Sequence, residues 1–306
     1  MQHRNYRDSF FGLIQLTRWK EYVPFVIPLT LVGALLAARP HGIHLDFRLV
    51  AVTLANILAV AYAFMINDIE DAPDDALDPA RAARNPITSG RLSVRMGYAA
   101  CRLVAAVTLL LYALGGGWVL VIGIGTILLS HLYSWRPVRL KAWPVTDVLS
   151  HSLMLSGLLL LAGYFLYDAN PGIVWFVAAA ATLVSVYGQL YNQLRDYDMD
   201  RAAGLFNTAI VLGEANTKRA MYLAVGLALV CLVAAAIQGV FPTWLGLVVL
   251  VSVPISMLFR TKTDMRGGGG VVVDASGAMQ MQSLVILNII IAAWMVESLY
   301  IQMFLG

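Results

Sequence analysis

Nine apolar stretches, each close to the length that crosses a lipid bilayer, divide this chain of 306 residues. A helix needs about 20 residues to cross the ~30 Å hydrocarbon core, and only helices satisfy their own backbone groups as separate spans. We therefore predict an all-α membrane protein, a single domain over residues 1–306 built as a bundle of nine transmembrane helices. The predicted spans cover roughly residues 20–38, 47–66, 94–114, 117–134, 146–167, 172–193, 217–238, 243–259 and 281–304. Pro24 and Pro28 predict a kinked start to the first span.

The composition excludes a water-soluble globular fold. Apolar residues make up 59% of the chain and charged residues 13%, whereas soluble proteins have about 45–50% and about 25%. So few charges cannot cover the surface of a soluble fold of this size, so much of the surface must face lipid. Cys101 and Cys231 both lie in apolar runs, which predicts no disulfide framework.

The positive charges fall on alternate loops. Of the 21 Lys and Arg residues, all except Arg39 and Arg48 lie in the N-terminal segment or in the regions 67–102, 135–145, 194–219 and 260–280. By the positive-inside rule, these segments are cytoplasmic. We therefore predict an integral membrane protein with a cytoplasmic N-terminus and, after nine spans, an extracytoplasmic C-terminus.

Nine of the 18 carboxylates lie in two clusters within these cytoplasmic loops. The first follows the second apolar stretch and holds Asp68, Glu70, Asp71, Asp74, Asp75 and Asp78. The second follows the sixth stretch and holds Asp196, Asp198 and Asp200. Each contains the same pattern of an Asn and two Asp residues spaced by four, which lie on one face if the helix continues. The repeat suggests an internal four-helix pseudo-repeat, about 20–134 and 146–259.

Two matching acid clusters indicate a site for divalent cations and a phosphate. Like charges four residues apart destabilise a helix, so a bound ligand is expected to offset that cost. Mg²⁺ is typically held by one or two carboxylates together with substrate phosphates. Six basic residues on the same cytoplasmic face suit a diphosphate head: Arg81, Arg84, Arg136, Arg139, Lys141 and Arg195. A solvated acidic loop and arginines that only set topology are the alternatives.

Three motifs resemble those of the UbiA superfamily of intramembrane prenyltransferases. Asn67-Asp68-Ile-Glu-Asp71-Ala-Pro-Asp-Asp75 matches the N-D-x-x-D-x-x-x-D signature of that superfamily. The segment 192–204, followed by Asn207-Thr208 and Gly213, is similar to the second acidic motif. The segment 133–141 is similar to the loop between the fourth and fifth helices. The resemblance covers essentially the whole chain.

This resemblance implies a helical bundle around a lipid-accessible central cavity and a Mg²⁺-dependent prenyl transfer from a polyprenyl diphosphate to an acceptor. The implied catalytic residues are Asp68, Asp71, Asp196 and Asp200. The implied metal ligands are Asn67, Asp68, Asp71, Asp75, Asn192, Asp196 and Asp200. The diphosphate contacts are Tyr133, Arg139 and Lys141, with Arg84 as a further cation.

The acceptor is left open by the sequence. A small aromatic compound, as in quinone biosynthesis, is the default. A carotenoid or other lipid, a sugar phosphate, a tetrapyrrole, and terpene cyclisation without an acceptor are the alternatives. Candidate acceptor-site residues are Arg18 and Lys20, where the family usually has Arg-Pro, and the pair Asp147 and His151. This pair stands four residues apart and would take the proton lost by the acceptor, the alternative being a capping Asp and a packed His.

A secondary transporter is the alternative from another functional class. Transporters place ionisable residues near the membrane midplane, whereas here the acids lie at one mouth of the bundle. The expected partners are a prenyl diphosphate, a second small or lipid acceptor and membrane lipids. No nucleic acid partner is expected, and the sequence does not predict the oligomeric state.

Overall fold

The computed structural model describes residues 6–39, 41–172, 174–202, 204–259 and 279–304. In these ranges the chain is helical and has no strand, which confirms the predicted all-α class. Of the predicted 260–280 loop, positions 260–278 lie outside the described residues.

Fourteen α-helices follow one another in the described part of the chain. The first seven are α1 (Tyr6–Thr17), α2 (Val23–Ala38), α3 (Phe47–Asp75), α4 (Pro79–Arg84), α5 (Val94–Gly115), α6 (Gly117–Ser134) and α7 (Thr146–Ser152). The remaining seven are α8 (Leu158–Tyr164), α9 (Val174–Arg195), α10 (Tyr197–Ala202), α11 (Thr208–Leu212), α12 (Glu214–Ile237), α13 (Leu245–Ser256) and α14 (Gln280–Phe304). One π-helical turn, Leu153–Gly157, joins α7 to α8.

Seven of these helices are long and apolar enough to cross a membrane. They are α3, α5, α6, the continuous α7–α8 segment, α9, α12 and α14. The α1–α2 pair passes the same test together but is bent by 56°. The predicted span 243–259 forms only the 12-residue helix α13, which rises about 18 Å against a core of ~30 Å. Nine spans are therefore not confirmed, and the described part of the chain is a membrane bundle with seven candidate spans.

The bend between α1 and α2 changes the direction of the chain, while Leu16 on α1 stays buried among core residues of α3. The predicted kink lies at Tyr22, between the 3₁₀ turn Trp19–Glu21 and α2. Pro24 occupies the first turn of α2, where its missing N–H costs no helical hydrogen bond. Pro28 lies inside α2. The chain therefore enters the bundle through a turn, and Arg18, in the left-handed conformation with φ 48°, sits at that turn.

A buried asparagine links four helices in the middle of the bundle. The Asn56 side chain on α3 donates from Nδ2 to Thr30 Oγ1 on α2 at 2.7 Å and to the Leu159 carbonyl on α8 at 3.0 Å. The Tyr112 hydroxyl on α5 donates to Asn56 Oδ1 at 2.6 Å. Because lipid offers no competing partners, such a satisfied polar group holds neighbouring helices together. These bonds fix the long helix α3, which carries the first acidic motif.

Helices α2 and α8 pack with their backbones in contact at two glycines. A Cβ atom at Gly33 would collide with the Leu160 carbonyl, and one at Gly163 would collide with the Thr30 carbonyl. Small residues are what allow such a close approach between membrane helices.

Replacing Gly33 with Leu is expected to separate α2 from α8 and destabilise the fold. Overpacking costs typically about 1–3 kcal/mol, which corresponds to a fall in Tm of several degrees in a detergent-solubilised sample followed by circular dichroism. Gly125→Leu is the matched control because a Cβ there meets nothing within 4 Å among the described residues. An equal fall in Tm for the two variants would contradict this packing.

Candidate active site

The first acidic motif lies at the end of α3 and contacts the loop 135–145, which we call the basic loop. Helix α3 continues to Asp75, so the motif residues share a helix as expected. Lys141 Nζ lies 2.8 Å from Asn67 Oδ1 and 2.6 Å from Asp71 Oδ1. Arg139 Nη2 lies 3.2 Å from Asp71 Oδ1 and 2.7 Å from Asp74 Oδ2. Arg136 Nη2 also lies 3.1 Å from Asp74 Oδ1, so all three cations of the basic loop contact the first acid cluster.

The other two aspartates of the first motif have different partners. Asp68 is buried, with 2% of its side chain exposed, and its Oδ1 lies 2.7 Å from Arg18 Nη2. Asn85 Nδ2 donates to Asp75 Oδ2 at 2.8 Å and to the Asp68 backbone carbonyl at 2.7 Å. Arg18, named from the sequence only as an acceptor candidate, therefore contacts the acidic motif directly.

The second acidic motif crosses a break between two helices. Helix α9 ends at Arg195 and α10 begins at Tyr197, so Asp196 lies at the junction. The Asp196 N–H still donates to the Asn192 carbonyl at 3.1 Å, and the Asp200 N–H to the Asp196 carbonyl at 2.9 Å. The spacing of four is therefore preserved across the break.

Two contacts show that the two motifs face the same region. Arg81, which follows the first motif on α4, places Nη2 4.0 Å from Asp200 Oδ1. Gln189 Nε2 on α9 donates to the Tyr133 hydroxyl on α6 at 3.3 Å. We call this region of the bundle the acidic end.

The charges at the acidic end are only partly balanced. Burial and then the neighbouring Asp196 carboxylate raise the pKa of Asp200 to about 6, although Arg81 lowers it. Burial lowers the pKa of the Lys141 ammonium, and the Asp71 carboxylate opposes that shift. An acid whose charge is penalised in this way gains from a bound cation, because an opposite charge nearby favours the ionised form.

The ligand atoms suit Mg²⁺, although they do not form a complete coordination shell. In the described ranges, no three His, Cys, Asp or Glu side chains come together closely enough to hold a metal ion. Lys141, Arg18 and Arg195 instead lie against acids of the two motifs. The Asn192 Oδ1 atom is buried without a hydrogen-bond partner among the described residues. Carboxylate and amide oxygens are the ligands that Mg²⁺ takes, so the residues fit this ion.

Asp147 holds the second motif in place from the start of α7. It is fully buried, and its Oδ2 accepts from Gln193 Nε2 and from the Thr208 N–H, both at 2.7 Å. Its Oδ1 accepts from the Thr208 hydroxyl and the Val148 N–H. The neighbouring Asn207 donates to Asp200 Oδ2 at 2.9 Å. These contacts indicate that Asp147 stabilises the fold around the second motif.

The His151 ring lies 6.0 Å, centroid to centroid, from the Tyr133 ring. This places the second member of the predicted acid–base pair beside a residue of the acidic end.

Replacing Asp147 with Ala is expected to destabilise the protein by about 3 kcal/mol or more, because each buried donor left without an acceptor costs about 1–3 kcal/mol. Thermal unfolding in detergent measures the effect. Asp198→Ala is the control, since Asp198 is exposed on α10. Equal Tm values for Asp147→Ala and Asp198→Ala would contradict the role given to Asp147.

Two residues that the sequence interpretation did not assign complete the site. Asn85 bridges two aspartates of the first motif, and Gln193 pairs with Asp147 while its Oε1 accepts from the Ala209 N–H at 3.0 Å. Gln193 is next to the motif residue Asn192 in the sequence, and this position could have identified it as a site residue. Asn85 follows Arg84 ten residues after Asp75, and no spacing rule connects it to the acids. Arg84 itself forms an ion pair with Glu21 at 2.9 Å.

Comparisons with known proteins identify the family of the chain. The model of the UbiA prenyltransferase family matches residues 26–267. The digeranylgeranylglyceryl phosphate synthase of Natronomonas pharaonis is 30% identical over 261 residues, which cover 78% of this chain and 82% of that protein.

Solved structures share the fold. A UbiA homolog from Archaeoglobus fulgidus bound to GPP and Mg²⁺ has a TM-score of 0.72 at 20% identity, covering 95% of this chain and 99% of that one. A UbiA homolog from the same organism bound to DMAPP and Mg²⁺ has a TM-score of 0.72 at 21% identity, covering 96% and 99%. With the family model matching most of its length, the chain belongs to the UbiA prenyltransferase family and is an intramembrane prenyltransferase.

Proposed function

We propose that this protein transfers a prenyl group from a prenyl diphosphate to an acceptor at the acidic end of the bundle. The observation that carries the proposal is that the two acidic motifs and the basic loop lie together. Lys141 forms an ion pair with Asp71, and Arg81 Nη2 lies 4.0 Å from Asp200 Oδ1. The Archaeoglobus fulgidus structures with GPP or DMAPP and Mg²⁺ support a prenyl diphosphate as the donor.

The chemistry follows from the charges at this end. The bond between the prenyl C1 and the diphosphate oxygen breaks, and its electron pair leaves on the diphosphate. The acceptor then gives an electron pair to C1 and releases a proton to a base or to water. In this proposal Arg139 and Lys141 hold the phosphates, because preorganised cations stabilise charge that develops on a leaving group.

Mg²⁺ would be held by the two acidic motifs. When bound, it would neutralise the departing diphosphate as a Lewis acid. Its proposed ligands are the amide and carboxylate oxygens of Asn67, Asp68, Asp71, Asp75, Asn192, Asp196 and Asp200. Lys141 would then leave Asp71 and Arg18 would leave Asp68, and each cation would bind a phosphate or the acceptor instead.

The membrane arrangement completes the proposal. The seven candidate spans, the bent α1–α2 pair and the short helix α13 together give the nine-helix bundle, with the prenyl tail in a central cavity between the helices. The TM-score of 0.72 to the GPP-bound homolog supports this arrangement. By the positive-inside rule, we expect the N-terminus and the acidic end in the cytoplasm and the C-terminus on the other side.

The acceptor distinguishes the members of this family from one another. A small aromatic ring stays our prediction from the sequence. The similarity to a digeranylgeranylglyceryl phosphate synthase supports a glyceryl phosphate lipid as the second candidate.

Product analysis tests the function. Purified protein with Mg²⁺ and GPP is expected to release diphosphate and form a prenylated product with one member of an acceptor panel that includes hydroxybenzoate and an alkylglyceryl phosphate. EDTA is expected to abolish this release, and added Mg²⁺ to restore it. Solute movement across sealed vesicles without diphosphate release would favour a transporter and contradict the proposal. A cyclic hydrocarbon formed without an acceptor would replace transfer by cyclisation.

A further inference from the structure

Glu70 belongs to the first acid cluster but not to its proposed metal ligands. A helix turns by about 100° per residue, so Glu70 is offset by that angle from its neighbour Asp71 and shares a side of α3 with Asp74, four residues later. Glu70 is buried, with 7% of the residue exposed. A buried carboxylate needs polar partners, and the partners of Glu70 indicate its role.

Both carboxylate oxygens of Glu70 accept hydrogen bonds from other elements of the bundle. The Tyr98 hydroxyl on α5 donates to Oε1 at 2.8 Å. The backbone N–H of Arg136, near the start of the basic loop, donates to Oε2 at 3.3 Å. The Arg136 side chain contacts the same turn of α3, where its Nε donates to the Glu70 backbone carbonyl at 3.0 Å. Glu70 therefore connects α3 and α5 to the beginning of the basic loop.

The ion pair of Arg136 with Asp74 is a weaker attachment. Arg136 Nη2 lies 3.1 Å from Asp74 Oδ1, but 42% and 46% of the two side chains are exposed. An exposed pair contributes little, because water competes for both charges and salt screens them. The buried carboxylate of Glu70 is therefore the stronger attachment of the basic loop to this part of α3.

The basic loop needs such an attachment because its backbone is strained. Arg139 has φ 46° and Val145 has φ 70°. A residue with a Cβ atom keeps a positive φ only when its surroundings hold it there. At the far end of the loop, the Val145 N–H donates to Thr208 Oγ1 at 2.7 Å. Glu70 holds the near end.

On the basis of the proposed function, we infer that Glu70 is a positioning residue for the binding of the diphosphate. It holds the near end of the basic loop, so that the loop presents Arg139 and Lys141 to the phosphates. In this role Glu70 touches neither the metal nor the substrate. Its loss therefore weakens the binding of phosphates and spares the binding of the metal alone.

Calorimetric titration with inorganic pyrophosphate at a fixed Mg²⁺ concentration tests this inference, with the full chain in phosphatidylcholine nanodiscs. Glu70→Ala is expected to bind pyrophosphate about tenfold more weakly than the wild type, because a group that holds a binding residue in place is typically worth about 10–100-fold. Glu214→Ala is the control, since it removes an exposed acid at the start of α12. The control is expected to bind pyrophosphate like the wild type.

Two conservative variants separate the hydrogen bonds of Glu70 from its charge. Glu70→Gln loses the charge, but its amide oxygen can accept from the Arg136 N–H while its amide nitrogen donates to the Tyr98 oxygen. Glu70→Asp keeps the charge but is one methylene too short to reach both partners. We expect pyrophosphate to bind Glu70→Gln within about threefold of the wild type, and Glu70→Asp more weakly than Glu70→Gln. The opposite order would overturn the inference, and this comparison holds even if Glu70→Ala does not fold.

Binding of Mn²⁺ alone, followed by electron paramagnetic resonance, separates this role from that of a metal ligand. Without pyrophosphate, Glu70→Ala is expected to bind Mn²⁺ at least as tightly as the wild type, because a loosened loop no longer holds Lys141 against Asp71. Parallel tenfold losses of Mn²⁺ and pyrophosphate binding would show a metal ligand or a general support of the fold, and would overturn the inference.

The release of diphosphate from GPP by the wild type distinguishes this inference from the proposed function. If the wild type releases diphosphate but Glu70→Ala binds pyrophosphate normally, only the role given to Glu70 fails. If the variants show the expected pattern but the wild type releases no diphosphate with any acceptor, the proposed function fails and the positioning of the basic loop by Glu70 stands.

Discussion

Asp196→Asn is expected to reduce diphosphate release by at least about 100-fold while the protein stays folded in the membrane. Removing a residue that only supports a metal ligand costs about 10–100-fold, and we assign Asp196 to the ligands themselves. Asp68→Asn should behave in the same way, because Asp68 is the buried acid of the first motif. Steady-state release of diphosphate from GPP with saturating Mg²⁺ measures the effect.

Asp198→Asn is the matched control for this loss. Asp198 belongs to the same acid cluster but is exposed and falls outside the spacing of four. We expect this variant to keep wild-type turnover. Turnover of Asp196→Asn or Asp68→Asn within a few-fold of the wild type would remove that residue from the metal site.

Lys141→Gln is expected to change metal binding and catalysis in opposite directions. Without diphosphate, the ammonium occupies the space between Asn67 and Asp71, so its removal should strengthen the binding of Mn²⁺ used in place of Mg²⁺. With GPP present, the missing cation should lower kcat/KM by about 100-fold, which is about 2.7 kcal/mol of lost stabilisation of the leaving group.

Lys218→Gln provides the control for both measurements, because Lys218 is exposed on α12. Electron paramagnetic resonance of free Mn²⁺ and steady-state kinetics give the two values. Weaker Mn²⁺ binding by Lys141→Gln in the absence of GPP would show that Lys141 does not compete with the metal.

The positions of the long helices could be predicted because each follows from the length of an apolar stretch in the sequence. Helix α3 begins at Phe47 as predicted, and α6 covers the predicted 117–134. The length of the helix in the predicted span 243–259 could not be predicted, because a run of apolar residues does not show where a helix ends. Pro254 lies within α13, which ends two residues later at Ser256. The 56° bend means that α1 and α2 do not form one straight span, and Pro24 predicted a kink at this position.

The acidic motifs were predictable from spacing, but their partners were not. A repeat of four residues is a local pattern, so it identifies Asn67, Asp71 and Asp75 together. The contact between Lys141 and Asp71 joins residues 70 apart in the sequence, and the pairing of Arg18 with Asp68 spans 50. Such contacts depend on how helices pack, which no local spacing encodes.

The most direct test of the account is the binding of Mn²⁺ to the purified protein in the presence of GPP, measured by electron paramagnetic resonance. A shared metal site requires both acidic motifs to hold the metal together with the diphosphate. It therefore predicts that Asp71→Asn and Asp196→Asn, each alone, weaken Mn²⁺ binding by at least about tenfold. Wild-type binding of Mn²⁺ by either variant would show that the two motifs do not share a metal site.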